Sequence, residues 1–350
     1  MKCTIQNIAD HLGLSRNTVS KALKNSSEVS ENTRNLVIKT ASKLGYKNAT
    51  FATPVIPASE TGSNGTILFL TRTYASDSEF WTTVLRGIES ILSNANYHLA
   101  ISIMSDSDLK QLNFPQTISD SSIKGIILVE ICDKVVCDAL SQFNLPIVSV
   151  DMPNVPFEEL NGIDVVTMES KKNLKKIINQ LIEKGAESFG FVGDLYSPNV
   201  SRGFQERYNA LSECLAEHQL PLNQKNCLLH QTPEDFRNFQ TTVNNLQAMI
   251  SLPDVFICGN DWTAIQLIYA LQFLGFQIPK DICVVGFDNI PAASRISPSL
   301  TTISTPQKYL GIAAARQILE RIQHPNCPHV FCQYETELII RNSTNIISFS

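Results

Sequence analysis

The chain has 350 residues, 43% of them hydrophobic, which is long and apolar enough for two or three folded domains and excludes a disordered tail. No apolar run approaches the roughly 18 residues of a membrane span, and no signal-peptide pattern leads the chain, so we expect a cytoplasmic protein with no membrane partner. The net charge is −5, but residues 1–50 carry +5 and the rest carry −10. Clustered positive charge favours DNA contact at one end, although a solvated basic helix face explains the charge alone equally well.

The nine cysteines form neither a metal pattern nor a disulfide pattern. No CxxC pair occurs, and no two pairs have zinc-finger spacing. Several lie inside apolar runs, as in Phe256-Ile257-Cys258, where cysteine packs as a small hydrophobic residue. We expect buried, reduced thiols, no bound metal and no cofactor.

Three short helices are predicted in the first 46 residues. Thr4 is placed to cap the first, whose apolar residues recur at helical spacing, and Gly13 supplies the turn that ends it. Ser15 caps the second helix, Arg16 to Leu23, and the third begins at Ser30.

The spacing Ala9-x3-Gly13-x-Ser15-x3-Val19 predicts a helix-turn-helix. A small residue lets the two helices approach, a glycine makes the turn, and an apolar residue packs the second helix.

The outer face at the start of the second helix carries Arg16, Asn17 and Lys21. This part of a helix-turn-helix enters the major groove, where Arg and Lys pair with guanine and Asn with adenine. The residues predicted to bond phosphate oxygens are Thr4, Ser15, Thr18, Ser20, Lys24, Ser30 and Thr33. A plain three-helix bundle, the alternative, does not explain why polar donors gather at this one edge.

From Thr66 onward, short apolar runs alternate with amphipathic stretches. The runs are Ile67–Leu70, Leu99–Ile103, Ile126–Val129, Ile147–Val150, Val165–Met168, Phe189–Val192, Val255–Cys258 and Ile282–Phe287. The helical patterns include Thr82–Asn94, Lys171–Lys184, Phe204–Glu217 and Trp262–Leu274. Such alternation predicts parallel sheets with helices on both faces, and about nine strands exceed one convenient sheet, so we expect two similar α/β lobes.

Polar side chains follow several of these strands, where a ligand cleft between the lobes is expected. The candidate effector-binding residues are Phe80, Asp151, Arg207, Asn260, Asp261 and Asp288. Carboxylates and an arginine suit a hydroxyl-rich ligand, because each carboxylate accepts hydrogen bonds from two hydroxyls. For a single aspartate after a strand, a helix cap is an equally good interpretation. For Phe80, packing at the start of a helix is favoured over stacking on a ligand.

Several stretches resemble one known family. They include Thr4-Ile5-x-x-Ile8-Ala9-x3-Gly13-Leu14-Ser15-x-x-Thr18-Val19-Ser20-Lys21-Ala22-Leu23, then Gly286-Phe287-Asp288-Asn289 and Ser299-Leu300-Thr301-Thr302-Ile303. From Thr4 to about Arg341 the chain is similar to the lac repressor (LacI/GalR) family. The resemblance implies base reading by Arg16, Asn17 and Lys21 and effector contact by Arg207.

The resemblance also implies a fold: an all-α helix-turn-helix head plus an α/β two-lobed, type I periplasmic-binding-protein-like body. We therefore expect a DNA-binding domain at 1–47, a linker or hinge at 48–65, and an effector-binding and dimerisation domain at 66–341. Crossovers near residues 162, 290 and 324 would give one lobe of about 66–162 with 290–323. The other lobe would be 163–289 with 324–341.

The linker departs from the family. In the family this stretch forms a short hinge helix on operator DNA and inserts an apolar side chain into the minor groove, a position that Val55 occupies here. Asn48-Ala49 stands where Pro-Asn is expected, and Thr53 where Arg is expected. Pro54 falls inside the expected helix, where proline costs about 3 kcal/mol. We expect a hinge that is shorter or shifted towards residues 48–53.

Taken together, the sequence predicts a DNA-binding transcriptional regulator controlled by a small molecule in the cleft. The family resemblance favours a repressor. The family resemblance favours a carbohydrate as the effector, and a purine or nucleoside remains an alternative effector. A homodimer is expected, because two half-sites must be spanned on operator DNA. One alternative is the same head gated by a protein co-repressor. Another, less favoured, is an enzyme acting on sugars or nucleosides, which no GxSxG, Walker, HExxH or paired-acid motif supports.

Overall fold

The structure is a computed structural model that describes residues 4–23, 29–30, 33, 36–37, 40–41, 63–72, 78–195, 201–230, 238–346 and 348–349. The chain divides into two compact units, residues 1–62 (the head) and 63–350 (the body). None of the described helices is long and apolar enough to cross a membrane.

Two helices, α1 (Ile5–Leu12) and α2 (Arg16–Leu23), form the helix-turn-helix of the head. The Thr4 hydroxyl caps α1 by accepting a bond from the Asn7 amide, and the Asn7 side chain accepts one from the Thr4 amide. Gly13 ends α1 at a φ of 64°, a left-handed conformation that glycine adopts without the penalty of a Cβ atom. The turn predicted from the sequence is confirmed.

A small apolar cluster stabilises the head. Its buried members are Ile8, Ala9, Val19, Ala22, Val29, Val37 and Ala41. Helices of eight residues are unstable alone in water, whereas each buried aliphatic side chain contributes about 1.5–3 kcal/mol, so this cluster holds α1 and α2 in place. The described residues between 33 and 41 have helical backbone, in agreement with the third predicted helix.

The body alternates strands and helices along the chain. The described strands are β1 (Thr66–Arg72), β2 (His98–Met104), β3 (Ile123–Val129), β4 (Ile147–Ser149), β5 (Ile163–Met168), β6 (Phe189–Asp194), β7 (Leu228–His230), β8 (Val255–Cys258), β9 (Cys283–Asp288), β10 (Thr301–Ser304), β11 (Phe331–Tyr334) and β12 (Glu337–Ile339). The described helices are α3 (Glu79–Asn94), α4 (Asp106–Gln111), α5 (Lys134–Ser141), α6 (Lys172–Glu183), α7 (Arg202–Glu217), α8 (Phe239–Ala248), α9 (Asp261–Phe273) and α10 (Gln307–Gln323).

These strands form two six-stranded sheets, which define two lobes. Lobe 1 has the strand order β11-β5-β4-β3-β1-β2, and lobe 2 has the order β12-β10-β9-β8-β6-β7. Neighbouring strands are parallel except β10 and β12, which are antiparallel. Strands β5 and β8 are buried along their whole length, as expected where helices cover both faces of a parallel sheet. The predicted two-lobed α/β body is confirmed.

The chain crosses between the lobes three times: after β5, between β10 and α10, and between β11 and β12. Three crossovers were expected, but near residues 162, 290 and 324, which is too early in the chain each time. Residues 163–168 belong to lobe 1 because β5 pairs with β4. Residues 301–304 belong to lobe 2 because β10 pairs with β9, and residues 331–334 return to lobe 1 because β11 pairs with β5. Strand pairing, which sequence pattern does not reveal, decides the lobe.

Helix α10 is fixed to lobe 1 by close packing against α3. A Cβ atom at Gly87 would collide with the carbonyl oxygen of Lys308, and one at Gly311 would collide with that of Val84. The two helix backbones therefore touch at glycines on both sides.

The eight described cysteines are all free thiols, five of them buried. Burial raises the pKa of the Cys132 and Cys258 thiols well above the ordinary value, which keeps them protonated and unreactive. The packing role expected for cysteines in apolar runs is confirmed for Cys258. In the described part of the chain, no group of histidines, cysteines and acidic residues could hold a metal ion.

Candidate DNA interface and effector cleft

The three predicted base-reading residues lie on α2. Arg16 and Asn17 are exposed in its first turn, and Lys21 is partly buried one turn later. Val19 and Ala22 pack into the core of the head from the opposite side. An exposed first turn with arginine and asparagine is the arrangement that major-groove reading requires. The base-reading role stays a prediction.

Hydroxyl groups cluster at two helix starts of the head. Ser15 Oγ accepts a bond from the Thr18 amide at 3.0 Å and lies 2.8 Å from Thr18 Oγ1. Ser30 and Thr33 repeat the arrangement at 3.4 Å and 2.8 Å. Because helix N-termini attract phosphate, this placement agrees with phosphate contact by these four residues.

The remaining predicted DNA contacts divide into two groups. Thr4 is exposed at the start of α1, and Ser20 is partly buried within α2. Lys24 and the hinge residues Pro54 and Val55 lie outside the described residues.

In the body, the carboxyl ends of strands from both lobes and the first half of α7 bring six charged residues together. We call them the cleft cluster: Arg72, Glu130 and Asp151 of lobe 1, and Asp194, Arg207 and Asp288 of lobe 2. They influence one another across the cleft. Burial raises the pKa of Glu130, Asp151 and Asp288, and the carboxylates of Asp151 and Asp194 raise that of Glu130 further. The guanidinium of Arg207 opposes the upward shift of the pKa of Asp151 and Asp288. Beside the cluster the lobes touch, since the Arg202 amide donates to the Met152 carbonyl at 3.0 Å.

Arg207 is a deeply buried cation of the cleft cluster. Its side chain is 3% exposed, and its guanidinium carbon lies 3.6 Å from the centre of the Phe287 ring. Nη1 donates to the carbonyl of Gly259 at 2.6 Å. Burial lowers the pKa of Arg207, whereas Asp288 and Asp151 raise it. Nε is buried and has no partner among the described residues, which leaves a donor for a ligand oxygen.

Asp151 and Asp288 face Arg207 from different lobes. Burial raises the pKa of Asp151, while a 2.8 Å bond from the Met152 amide lowers it. Asp288 has a φ of 116°, and its carbonyl oxygen accepts a bond from the Gln307 side chain at 2.7 Å. A left-handed backbone at a residue other than glycine costs about 1–3 kcal/mol and is concentrated at functional sites. Both residues remain candidates for effector binding.

Asn260 and Asp261 make hydrogen bonds within lobe 2, and their effector contact stays a prediction. Asp261 is fully buried, with Oδ1 accepting from the Thr302 hydroxyl at 2.6 Å and Oδ2 from the Ile290 amide at 2.9 Å. Asn260 caps α9 by accepting a bond from the Thr263 amide at 2.9 Å. The helix-cap interpretation offered by the sequence therefore applies to Asn260.

Phe80 is a core residue at the start of α3. Its buried ring packs edge-on against Trp81, with 4.6 Å between ring centres. Packing at the start of a helix, which the sequence favoured over stacking on a ligand, therefore accounts for Phe80. Its neighbour Trp81 contacts the cleft cluster, because the Trp81 side chain hydrogen-bonds to Glu130.

Sequence reasoning missed three members of the cleft cluster, Arg72, Glu130 and Asp194. Each stands at or directly after the end of a buried strand. The same signal selected Asp151, so it was present in the sequence for all four. The helical pattern predicted over Phe204–Glu217 corresponds to α7, which begins two residues earlier at Arg202.

A basic helix-turn-helix head joined to a two-lobed body with a charged cleft defines a DNA-binding transcriptional regulator. Two family models match the chain. Residues 4–48 match "Bacterial regulatory proteins, lacI family", and residues 178–344 match "Periplasmic binding protein-like domain". The chain therefore contains a lacI-family DNA-binding domain and a periplasmic-binding-protein-like domain.

Full-length relatives share this organisation. The HTH-type transcriptional repressor PurR of Photobacterium profundum is 26% identical over 345 residues, covering 97% of this chain and 98% of its own. The ribose operon repressor of Haemophilus influenzae is 27% identical over 344 residues, with the same coverage.

Solved structures show the same fold. A lac repressor dimer bound to operator matches with a TM-score of 0.67 at 20% identity, covering 98% of this chain and 99% of that one. A complex of the regulator CelR with cellobiose matches with a TM-score of 0.69 at 19% identity, covering 98% and 100%. A LacI family regulator from Enterococcus faecium with bound ribose matches at 0.65 and 25% identity, covering 80% and 98%.

Proposed function

We propose that the protein is a cytoplasmic, non-enzymatic repressor whose operator binding is controlled by a small, hydroxyl-rich molecule in the cleft cluster. The observation that carries the proposal is Arg207, a buried cation with an unused Nε donor beside Asp151 and Asp288. Donors and acceptors placed this way at strand ends suit a ligand with several hydroxyls. Because they belong to a different unit from the head, a ligand there acts on DNA binding through a conformational change.

Similar proteins support a carbohydrate. One relative is named a ribose operon repressor, and two structures of this fold hold ribose and cellobiose. A sugar is therefore the first class to test, with nucleosides as the second.

The test measures the affinity of the full chain for selected operator DNA at fixed salt, with and without a panel of sugars and nucleosides. A ligand that couples to DNA binding by about 1–3 kcal/mol changes operator affinity by about 5- to 150-fold. We expect Arg207→Ala to abolish that change while leaving ligand-free DNA binding intact. Arg295→Ala removes an exposed arginine from the same lobe and should keep the response.

A native protein whose operator affinity no panel member changes would contradict control by these ligands. Gating by a protein co-repressor would then be the better hypothesis.

We further propose that the protein acts as a homodimer formed through α9. This helix is apolar on nearly all sides, yet Trp262, Tyr269 and Phe273 are exposed on it. They lie seven and four residues apart and so share one face. Phe239 of α8 extends the patch, with its ring centre 5.9 Å from that of Phe273. Exposed aromatic patches of this kind mark protein interfaces, and a second copy is what a two-half-site operator requires.

A further inference from the structure

We propose that the peptide group between Asp288 and Asn289, held by the side chain of Gln307, transmits effector binding from lobe 2 to lobe 1. We call this peptide group, together with the side chains of Thr305 and Gln307, the relay. The inference deepens the proposed function and rests on it, because it concerns how an occupied cleft changes the arrangement of the lobes.

The relay lies where the second crossover leaves lobe 2. Strands β9 and β10 pair in parallel up to Asp288 and Ser304, the last residue of each strand. The chain then continues through Thr305 and Pro306 into α10, which begins at Gln307. Gln307 therefore begins the helix that packs against α3 of lobe 1, whereas Asp288 belongs to lobe 2.

The peptide group of the relay is held from both lobes. Its oxygen, the carbonyl of Asp288, accepts a bond from Gln307 Nε2 at 2.7 Å and one from Thr305 Oγ1 at 3.1 Å. Its nitrogen, the amide of Asn289, donates to Thr302 Oγ1 at 3.3 Å, and Thr302 is part of β10 in lobe 2. A rotation of this peptide group therefore strains a bond to lobe 1 at its oxygen and a bond to lobe 2 at its nitrogen.

Lobe 2 fixes the two residues that follow Asp288. The Asn289 side chain accepts a bond from Arg341 Nη2 at 2.7 Å. The Ile290 amide donates to Oδ2 of the buried Asp261 at 2.9 Å. Because these two residues are anchored, a displacement of Asp288 is absorbed at its own backbone torsions and at its carbonyl oxygen.

The backbone of the relay is strained. Asp288 and Asn289 have φ values of 116° and 57°, in the left-handed region that residues other than glycine rarely adopt. Such conformations persist only where the surrounding structure enforces them, and they are typical of switch regions. The Gln307 donor is one of the bonds that enforce this conformation, so its loss favours a relaxed peptide group. Two alternative arrangements of one element are what coupling between distant sites requires.

The relay connects the cleft to lobe 1 through rigid parts. The carboxyl group of Asp288 faces the Arg207 guanidinium in the cleft, so a ligand that moves this carboxyl also moves the adjoining peptide group. Gln307 is 9% exposed, and its buried side chain cannot follow the carbonyl far without its helix. Since α10 is fixed to α3 at Gly87 and Gly311, a displacement of its first turn is a displacement of lobe 1.

The test compares two glutamines of the same helix in the full chain. Gln307→Met keeps the length of the side chain and removes the donor to Asp288. Gln317→Met is the matched control, because Gln317 Nε2 donates to Asp164 at 3.0 Å within lobe 1. Affinity for operator DNA selected with the native protein is measured without ligand at fixed salt, and urea unfolding measures stability. If Gln307→Met does not fold, Thr305→Val removes the second side-chain donor to the same carbonyl oxygen.

We expect Gln307→Met to change ligand-free operator affinity by about fivefold or more, because it shifts the balance between two lobe arrangements. Gln317→Met should stay within about twofold of the native protein, a factor below ordinary coupling between sites. A purely structural role would lower the stability of both variants and leave the operator affinity of the folded protein unchanged.

The same variants are then tested with D-ribose and cellobiose, the sugars named in two structures of this fold. If either sugar changes the operator affinity of the native protein, Gln307→Met should reduce that change to about twofold or less, while calorimetry still detects binding of the sugar. Gln317→Met should keep the full response.

Failure of the relay is distinguishable from failure of the proposed function. Equal ligand-free operator affinities for Gln307→Met and Gln317→Met would overturn the inference, and so would a full ligand response in Gln307→Met. If a sugar acts on the native protein but the two variants behave alike, the proposed function stands and the relay fails. If Gln307→Met alone changes operator affinity and no sugar or nucleoside acts on the native protein, the relay stands and the proposed function fails.

Discussion

Glu130 carries its carboxyl group into a cleft where burial raises the pKa to about 7 from an ordinary value of 4.5. Between these two values the folded protein binds more protons than the unfolded chain. By linkage, the contribution of Glu130 to the free energy of unfolding falls as the pH rises through this window and is constant above it. Glu130 thus lowers stability at neutral pH, a cost that is reasonable only at a site kept for binding.

Removing this charge should stabilise the protein at high pH. We expect Glu130→Gln to raise the free energy of unfolding by about 1–3 kcal/mol at pH 8 and to have little effect near pH 4.5. Urea unfolding at the two pH values measures the difference. Glu217→Gln is the control, and an equal gain for Glu130→Gln at both pH values would contradict the prediction.

Arg16 provides the residue-scale test of the head. It is exposed in the first turn of α2, where a bidentate contact with guanine is geometrically suitable. Arg16→Ala should cost about 1–3 kcal/mol on the preferred operator and relax the choice of base at one position. Binding to a library of operator variants measures both. If affinity falls equally on every variant, Arg16 contacts phosphate instead.

The candidate site was only partly predictable from the sequence. A charged residue after an apolar run is visible in the sequence, and it correctly brought Asp151 and Asp288 to the cleft. The same signal also selected Asp261, whose two oxygens accept hydrogen bonds from Thr302 and Ile290 inside lobe 2, a packing detail that the sequence does not show. Conversely, Arg72 was not among the predicted site residues, because its position in the cluster depends on which strands are neighbours.

At the element scale, the packing of α3 against α10 offers a sharp test. Because the Gly311 backbone touches the Val84 carbonyl region, a methyl group there requires the two helices to separate. We expect Gly311→Ala to destabilise the body by about 1–3 kcal/mol, although alanine favours helix formation. Denaturant unfolding measures the change. Glu320→Ala, on an exposed face of α10, should differ little from the native protein, and a stabilised Gly311→Ala would refute the packing argument.

Elements with strong apolar patterns were predicted nearly to their ends. The run Val255–Cys258 is the strand itself, and the pattern Trp262–Leu274 is helix α9 shifted by one residue. Strands β7, β10, β11 and β12 were not among the predicted runs, and β11 and β12 are short and only partly buried. They are recognised through their partners, β5 and β10, rather than through their own residues.

At the scale of the whole molecule, the dimer proposal predicts that a substitution in the α9 patch lowers the molecular mass measured in solution. Phe273 is 69% exposed at the end of α9, and an aspartate there would have to be buried without a partner in the proposed interface. We expect Phe273→Asp to weaken dimerisation by about 2 kcal/mol or more, measured by analytical ultracentrifugation across protein concentrations. Ile250→Asp, at a site 96% exposed in the same lobe, is the matched control. A native protein that sediments as a monomer at all concentrations would refute the proposal.

The three crossovers give this architecture a mechanical consequence. Residues 48–62, which follow the head in the chain, lead into β1 of lobe 1. The aromatic patch on α9 belongs to lobe 2. In a dimer joined through lobe 2, lobe 1 of each protomer would rotate about the three crossovers. Residues 48–62 are attached to this rotating lobe. A ligand that rotates lobe 1 slightly at the cleft would therefore change the distance between the two copies of residue 63 by more than it changes the width of the cleft. Because residues 48–62 connect lobe 1 to the head along the chain, inserting residues after Val55 should weaken the response of DNA binding to the ligand.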